Sequence, residues 1–255
     1  MKIILCCLLH TIAFNGIAQL KPIQSGVIHW DSLTVKKDGQ RESSKIATGT
    51  TNEFEYFEIH ATTQLKGAIA KTAHTQKDIE ELIIIKAGTM MCSIGNKTAV
   101  LGTGSVLLIP PGEAQVLENV GDGPLTYYVF QFRSKKMDME RSNAAGGALL
   151  LNADSLPVTK TAIKGGKKYF DRPSVMCQNF EMHITYLYAK GLSHAAHTHV
   201  DTEICLITEG NAYMTIDGKD YSASTGDMFI ANSGSLHCIG NTTDKPCSYF
   251  AFKWR

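Results

Sequence analysis

The sequence predicts an all-β protein made of two tandem domains, and two observations carry that prediction. The first is a series of short runs rich in β-branched and aromatic residues, at 82–85, 105–109, 127–132, 184–188, 204–208, 228–231 and 249–254. Such runs read as strands, and no long apolar pattern of helical period competes with them. Many short strands at regular spacing close into barrels or sandwiches. The second observation is that the chain repeats itself over most of its length.

The repeat sets the domain count. Asp31-Ser32-Leu33-x-Val35 returns as Asp154-Ser155-Leu156-x-Val158, and Phe57-Glu58-x-His60 as Phe180-Glu181-x-His183, both at an offset of 123. The offset then becomes 122: Glu81 maps to Glu203, Gly88 to Gly210, Gly104 to Gly226, Gly112 to Gly234 and Asn119 to Asn241. The closing runs agree, with Thr126-Tyr127-Tyr128-Val129-Phe130 over Ser248-Tyr249-Phe250-Ala251-Phe252. The expected domains are residues 27–133 and 149–255, joined by a polar linker at 134–148. Within the linker, Lys135-Lys136 and Glu140-Arg141 read as a solvated face. Gly95-Asn96 and Asp217-Gly218 occupy equivalent places and read as tight hairpin turns. Pro110-Pro111-Gly112 marks a sharp turn.

Composition bounds the rest. A hydrophobic content of 44% and a charged content of 19% are ordinary for a globular chain of 255 residues. The net charge of +1 gives no bulk field that favours nucleic acid or an anionic membrane. Residues 1–18 read as a signal peptide: Lys2, a mostly apolar stretch too short to span a bilayer, and small residues at Gly16 and Ala18. Cleavage before Gln19 would place the protein in the periplasm or outside the cell, with no later stretch able to insert in a membrane. It would leave Cys92, Cys177, Cys205, Cys238 and Cys247. That odd number at spacings that suggest no framework reads mainly as buried thiols.

The chemistry concentrates in Gly191-x5-His197-x-His199-x3-Glu203-x6-Gly210, answered by Gly226-x5-Asn232-x-Gly234-x2-His237-x3-Asn241. Residues at i and i+2 of an extended segment share a face, and Glu203 keeps that parity. Three imidazoles and one carboxylate brought together suit a divalent transition metal. The two segments resemble the two signature motifs of the cupin superfamily. They depart from the pattern at Asn232, where the motif usually has proline. The resemblance implies two tandem cupin-type barrels, of the double-stranded β-helix or jelly-roll kind, with a metal held by His197, His199, Glu203 and His237. The ligand set admits Mn, Fe, Zn, Ni, Co or Cu. A cupin barrel that keeps the pattern without a metal is the alternative.

Aligned at the later offset, the first half has Thr75, Lys77, Glu81 and Gln115 at the four positions. This departs from the pattern at three of them, so no metal is expected there. One reading puts the Lys77 ammonium where the metal would sit, paired with Glu81. The other sends Lys77 to the rim and leaves Glu81 hydrated. His74 and His194 read as loop or rim residues. His60 and His183 recur in both halves, which favours a structural role.

Metal-dependent cupins include dioxygenases, decarboxylases and other lyases, isomerases and hydrolases, so the resemblance does not choose a reaction. Ureidoglycine aminohydrolase and flavonol dioxygenase are two-barrel comparisons, but the former has a Gln among its ligands where this chain has His. Tyr186 and Tyr188 share one strand face and are weak candidates for acid/base work if that face is inward. If it is outward, they pack between barrels. Two functional readings stand. One is an exported metal-dependent enzyme acting on a small polar, oxygen-rich metabolite. The alternative is a non-catalytic cupin that binds a small ligand such as a sugar or organic acid. The aromatic closing strands would permit a homodimer.

Overall fold

Two seven-stranded antiparallel sheets, one from each half of the chain, face each other across a shared aromatic core. The computed structural model describes residues 19–255. The expected signal peptide, residues 1–18, lies outside the described residues. In the first half the large sheet runs in the order Leu149–Leu151, Val106–Ile109, Glu80–Ala87, Leu125–Ser134, Phe54–Gln64, Arg41–Gly49, Val35–Asp38. A three-stranded sheet of Lys97–Leu101, Met90–Ile94 and Gln115–Asn119 closes that barrel. The second half repeats the plan, with Gly191–Leu192, His237–Asn241, Asn211–Ile216 and Lys219–Ser224 as its smaller sheet. The two-barrel, almost all-β expectation holds.

Alternation along the closing strands explains why they are apolar throughout. Tyr128, Phe130 and Phe132 point into the core between the barrels, while Tyr127 and Val129 line the first barrel's interior. In the second half Phe250, Phe252 and Trp254 face the shared core, and Cys247, Tyr249 and Ala251 face inward. A strand buried on both faces loses the polar alternation of a half-exposed one. The Phe130 and Phe252 rings meet at 4.9 Å, edge to face. These strands are therefore spent on contact between the two barrels, and they are not the free surface for a homodimer that the sequence suggested.

The domain boundaries are corrected by a strand exchange. Gly26–Ile28, ahead of the first barrel, pairs with Met228–Ala231 of the second, while Leu149–Leu151 pairs with Val106–Ile109 of the first. Each short strand thus covers an edge in the other half's sheet, an edge that would otherwise be left unpaired. Each is followed by a 3-10 turn, Trp30–Ser32 or Ala153–Ser155, which is the repeated Asp-Ser-Leu motif. Lys135, Lys136 and Glu140 of the linker are exposed, as expected, while Arg141 is half-buried. The linker holds a short helix, Met139–Ala144, capped by Asp138. Arg141 donates to the carbonyls of Ser174 and Val175, both at 2.9 Å, and so docks the segment on the second barrel.

Both expected hairpins form. At Asp217-Gly218 both residues have positive φ, 50° and 80°, as a type I′ turn requires. Gly210 and its counterpart Gly88 are held more tightly, at φ 75° and 91°. A Cβ on Gly210 would meet the Pro246 carbonyl at 2.5 Å, and one on Gly88 the Pro124 carbonyl at 2.5 Å. Gly210→Ala is expected to cost about 1–3 kcal/mol through backbone strain and clash, read as a lowered midpoint in urea.

Candidate metal centre

The second motif pair converges at one end of the C-terminal barrel. Glu203 is the second residue of Thr202–Glu209, and His237 opens His237–Asn241. His197 sits outside the regular strands, in a single antiparallel bridge to His237, each backbone N–H donating to the other's carbonyl at 3.0 Å. The ligand nitrogens of His197, His199 and His237 all lie within 4.8 Å of one another. His237 is buried, His199 half-buried and His197 exposed, so the group opens to solvent on the His197 side.

Local backbone geometry fixes each ring. Nδ1 of His197 lies 3.3 Å from the Ala195 carbonyl, Nδ1 of His199 lies 3.0 Å from that of Asp201, and Nδ1 of His237 lies 2.9 Å from that of Ser235. A carbonyl can only accept, so each Nδ1 is placed to donate to it, which leaves the three Nε2 atoms as the nitrogens that would face a metal. Glu203 Oε2 lies 3.1 Å from Nε2 of His199 and 3.0 Å from Nε2 of His237. Burial pushes the Glu203 carboxyl up, but the hydrogen bonds and charge of these two imidazoles outweigh it and hold it well below the usual carboxylate range. Burial lowers His237 as well, but Glu203 and the Ser235 carbonyl leave it raised. Burial and then the neighbouring imidazoles push His197 down, in favour of the neutral form that coordinates metal. Three oriented imidazoles beside a carboxylate fit a divalent metal by donor chemistry.

Other groups around the cluster fall into place. Cys205 Sγ is 3.9 Å from Glu203 Oε1, inside the barrel, and burial raises its thiol well above normal, so it stays protonated. All five cysteines of the described residues are buried free thiols. The His194 ring lies on the rim, 4.5 Å from that of His197. Tyr186 and Tyr188 do not reach the cluster. Leu187 packs inside the barrel, whereas Tyr186 packs on the core between barrels and stacks with Tyr188. Of the two faces open to them, they take the outward one. His183 takes the inward face instead, and its imidazole feels the charge of Glu203. Its counterpart His60 lines the cavity of the first barrel. Strand parity with Leu187 was the signal that could have separated His183 from the tyrosines.

The departure at Asn232 has a structural reason. Its backbone N–H donates to Ser25 Oγ at 3.0 Å and its side-chain Nδ2 to the Ile23 carbonyl at 2.9 Å. Ser25 Oγ also lies 3.5 Å from Ser235 Oγ. The segment ahead of the first barrel therefore straps down the loop that carries Ser235 and His237. Proline has neither donor. Asn232→Pro is expected to lower stability by about 1–3 kcal/mol through the lost bonds, read by thermal melting, and to weaken metal retention.

The first half requires a correction. His74 bridges Gln115 as His197 bridges His237, and Gly112 N–H donates to the Gln76 carbonyl as Gly234 does to that of His199. The counterparts of His197, His199, Glu203 and His237 are thus His74, Gln76, Glu81 and Gln115. The extra residue of the first half lies between Gln76 and Glu81, which displaces Thr75 and Lys77 by one and turns them outward. Lys77 is exposed and makes no ion pair with Glu81. Glu81 instead accepts from three amides: Gln76 at 3.4 Å, Gln131 at 2.7 Å, and Gln115 through a short contact.

Comparison with known proteins matches the two halves to two different models. Residues 184–253 match the cupin domain model, and residues 70–152 match the model of the AraC-like ligand binding domain. Among solved structures, protein Ylba from E. coli is similar at a TM-score of 0.71 and 18% identity, over 94% of this chain and 95% of that one. A putative glyoxylate induced protein from Pseudomonas aeruginosa gives 0.71 at 13% identity, over 90% and 87%. The Bacillus subtilis oxalate decarboxylase, described with Mn(II) centres, gives 0.68 at 10% identity, over 90% and 77%. No curated protein matches the sequence.

Proposed function

The chain belongs to the cupin superfamily, with two barrels in tandem, and from that premise we propose that it is an exported metal-dependent enzyme. Its C-terminal barrel would act on a small polar, oxygen-rich metabolite at His197, His199, Glu203 and His237. The carrying observation is the set of three imidazoles whose Nδ1 atoms are each tied to a backbone carbonyl, leaving three Nε2 atoms together beside Glu203. These four residues would hold a divalent transition metal, which would supply Lewis acidity toward a substrate oxygen. The chain's own residues do the rest. The exposed His197 side admits substrate, and the apolar interior behind Glu203 excludes water.

His183, on the inward face of its strand, is the imidazole outside the ligand set that feels the charge of Glu203. Burial holds its imidazole below the usual range despite Glu181, so it is neutral near pH 7 and able to accept a proton. Glu181 Oε1 lies 3.5 Å from its Nδ1, and Lys253 lies 3.5 Å from the other Glu181 oxygen. Small carboxylates suit such a centre, and two of the fold relatives carry oxalate or glyoxylate in their names. Export rests on the character of residues 1–18.

Binding without turnover is the second reading, favoured by the match of residues 70–152 to a ligand-binding domain. One experiment separates the two. The protein is purified without a metal-binding tag or chelator, its metal is measured beside His197→Ala, and both are assayed for turnover of oxalate, glyoxylate and small hydroxy acids. About one metal per chain and a turnover that both vanish in the variant support the enzyme. Metal without turnover favours the binding reading, and the absence of metal from both proteins removes the metal-centre reading.

A further inference from the structure

The first barrel has lost the metal pattern but kept its buried acid. Glu81 is 5% exposed and Gln115 1%, and both line a cavity of about 360 Å³. That volume lies at the small end of ligand pockets. Glu81 takes part in no ion pair among the described residues. Its three hydrogen bonds come from neutral amides, which bring no counter-charge. A buried carboxylate with no counter-charge is costly unless something supplies one. In the second barrel the equivalent Glu203 stands beside three imidazoles; in the first, Gln76 and Gln115 replace two of them.

Those amides shape the floor further. Each turns its N–H₂ toward Glu81, so each points its carbonyl oxygen elsewhere. The side-chain carbonyls of Gln76, Gln115 and Gln131 receive no hydrogen bond among the described residues. All three side chains line the cavity. The floor therefore holds one carboxylate and three amides whose N–H groups are turned to it, with the imidazoles of His60 and His74 also in the lining. A protonated amine is the complement: three donors and one positive charge on a compact head. The charges of the cavity wall are mixed, with Lys36, Arg41 and Lys71 beside Asp38 and Glu42. Arg41 spends one bond on the Ile69 carbonyl at 2.7 Å. Glu42, also at the wall, is paired with Lys37 at 3.0 Å.

We propose that the N-terminal barrel is a metal-free binding site for a small zwitterionic amine of amino-acid type. Its ammonium group sits against Glu81, and its carboxylate faces Arg41 and Lys71. This site is separate from the metal centre and does not depend on the reaction assigned there.

The test titrates the full chain by calorimetry with glycine, alanine, serine, glutamate, 4-aminobutyrate and ethanolamine. Each carboxylated amine is run beside the acid that has hydroxyl in place of the amino group. At least one amine is expected to bind at about one per chain, and its hydroxy counterpart at least about tenfold more weakly. Glu81→Gln should reduce binding at least about tenfold, while His197→Ala leaves it unchanged. Arg41→Ala should weaken the amino acids but not ethanolamine. The proposal is overturned if no amine binds below about 10 mM, or if the hydroxy acids bind as well as the amines. It is overturned too if His197→Ala abolishes binding, or if the protein holds a second metal ion that Glu81→Gln removes. The wild-type comparison of amine with hydroxy acid decides the matter even if a variant fails to fold.

Discussion

Replacing His237 by alanine should strip the metal from the protein and abolish any turnover that depends on it, while leaving the fold in place. His237 is 2% exposed and ties three parts of the centre together. Its Nδ1 is held by the Ser235 carbonyl at 2.9 Å, its Nε2 lies 3.0 Å from Glu203, and its backbone pairs in both directions with that of His197. Alanine keeps the backbone pairing, so the loop should hold its course. What goes is one of three nitrogens and a contact that orients Glu203. Removing only an outer partner of a metal ligand typically costs about 10–100-fold in affinity, so loss of the ligand itself should exceed that. Elemental analysis beside circular dichroism reads the result. His74→Ala, in the first barrel at the place that matches His197, is the control and should leave the metal content unchanged. A His237→Ala protein that still carried a full complement of metal would show that the ion sits elsewhere.

The difference between those two histidines also shows where the sequence could be read and where it could not. In the second half the ligand types fall at fixed distances from Gly191, Gly210 and Gly226, so the cluster was legible as a pattern. In the first half the repeat has no marker between His60 and Glu81, and the extra residue could lie anywhere in that interval. Backbone hydrogen bonds place it after Gln76, and parity then brings in His74 and Gln76 rather than Thr75 and Lys77. Gln131 was visible in principle, since it shares parity with Tyr127 and Val129 on an inward face, but an amide carries no chemical signature of its own. The exchange of Gly26–Ile28 with Leu149–Leu151 was not legible, because two equivalent strands fit either sheet equally well by pattern. Asn232 was visible as an exception, yet its reason lies about 200 residues away in sequence, at Ile23 and Ser25.

Trp254→Ala should produce the largest loss of stability of the substitutions considered, about 3–5 kcal/mol, because it empties the centre of the core that both barrels share. The indole is 2% exposed and lies 5.4 Å from the Phe54 ring, 5.3 Å from Phe57 and 6.3 Å from Phe180. Phe54 and Phe57 come from the first half, so the cavity would open between the domains rather than within one. A second variant separates packing from polarity. Trp254 Nε1 is buried with no hydrogen-bond partner among the described residues, a donor whose burial is itself unfavourable by about 1–3 kcal/mol. Trp254→Phe removes that orphan N–H and keeps a ring against Phe54, so its cost should stay below about 1.5 kcal/mol. Urea denaturation of the two variants gives both differences directly. If phenylalanine were as damaging as alanine, the fit of the indole outline would matter more than aromatic burial. If both were mild, the barrels would be held mainly by the exchanged strands, Gly26–Ile28 and Leu149–Leu151, whose backbone bonds neither substitution touches.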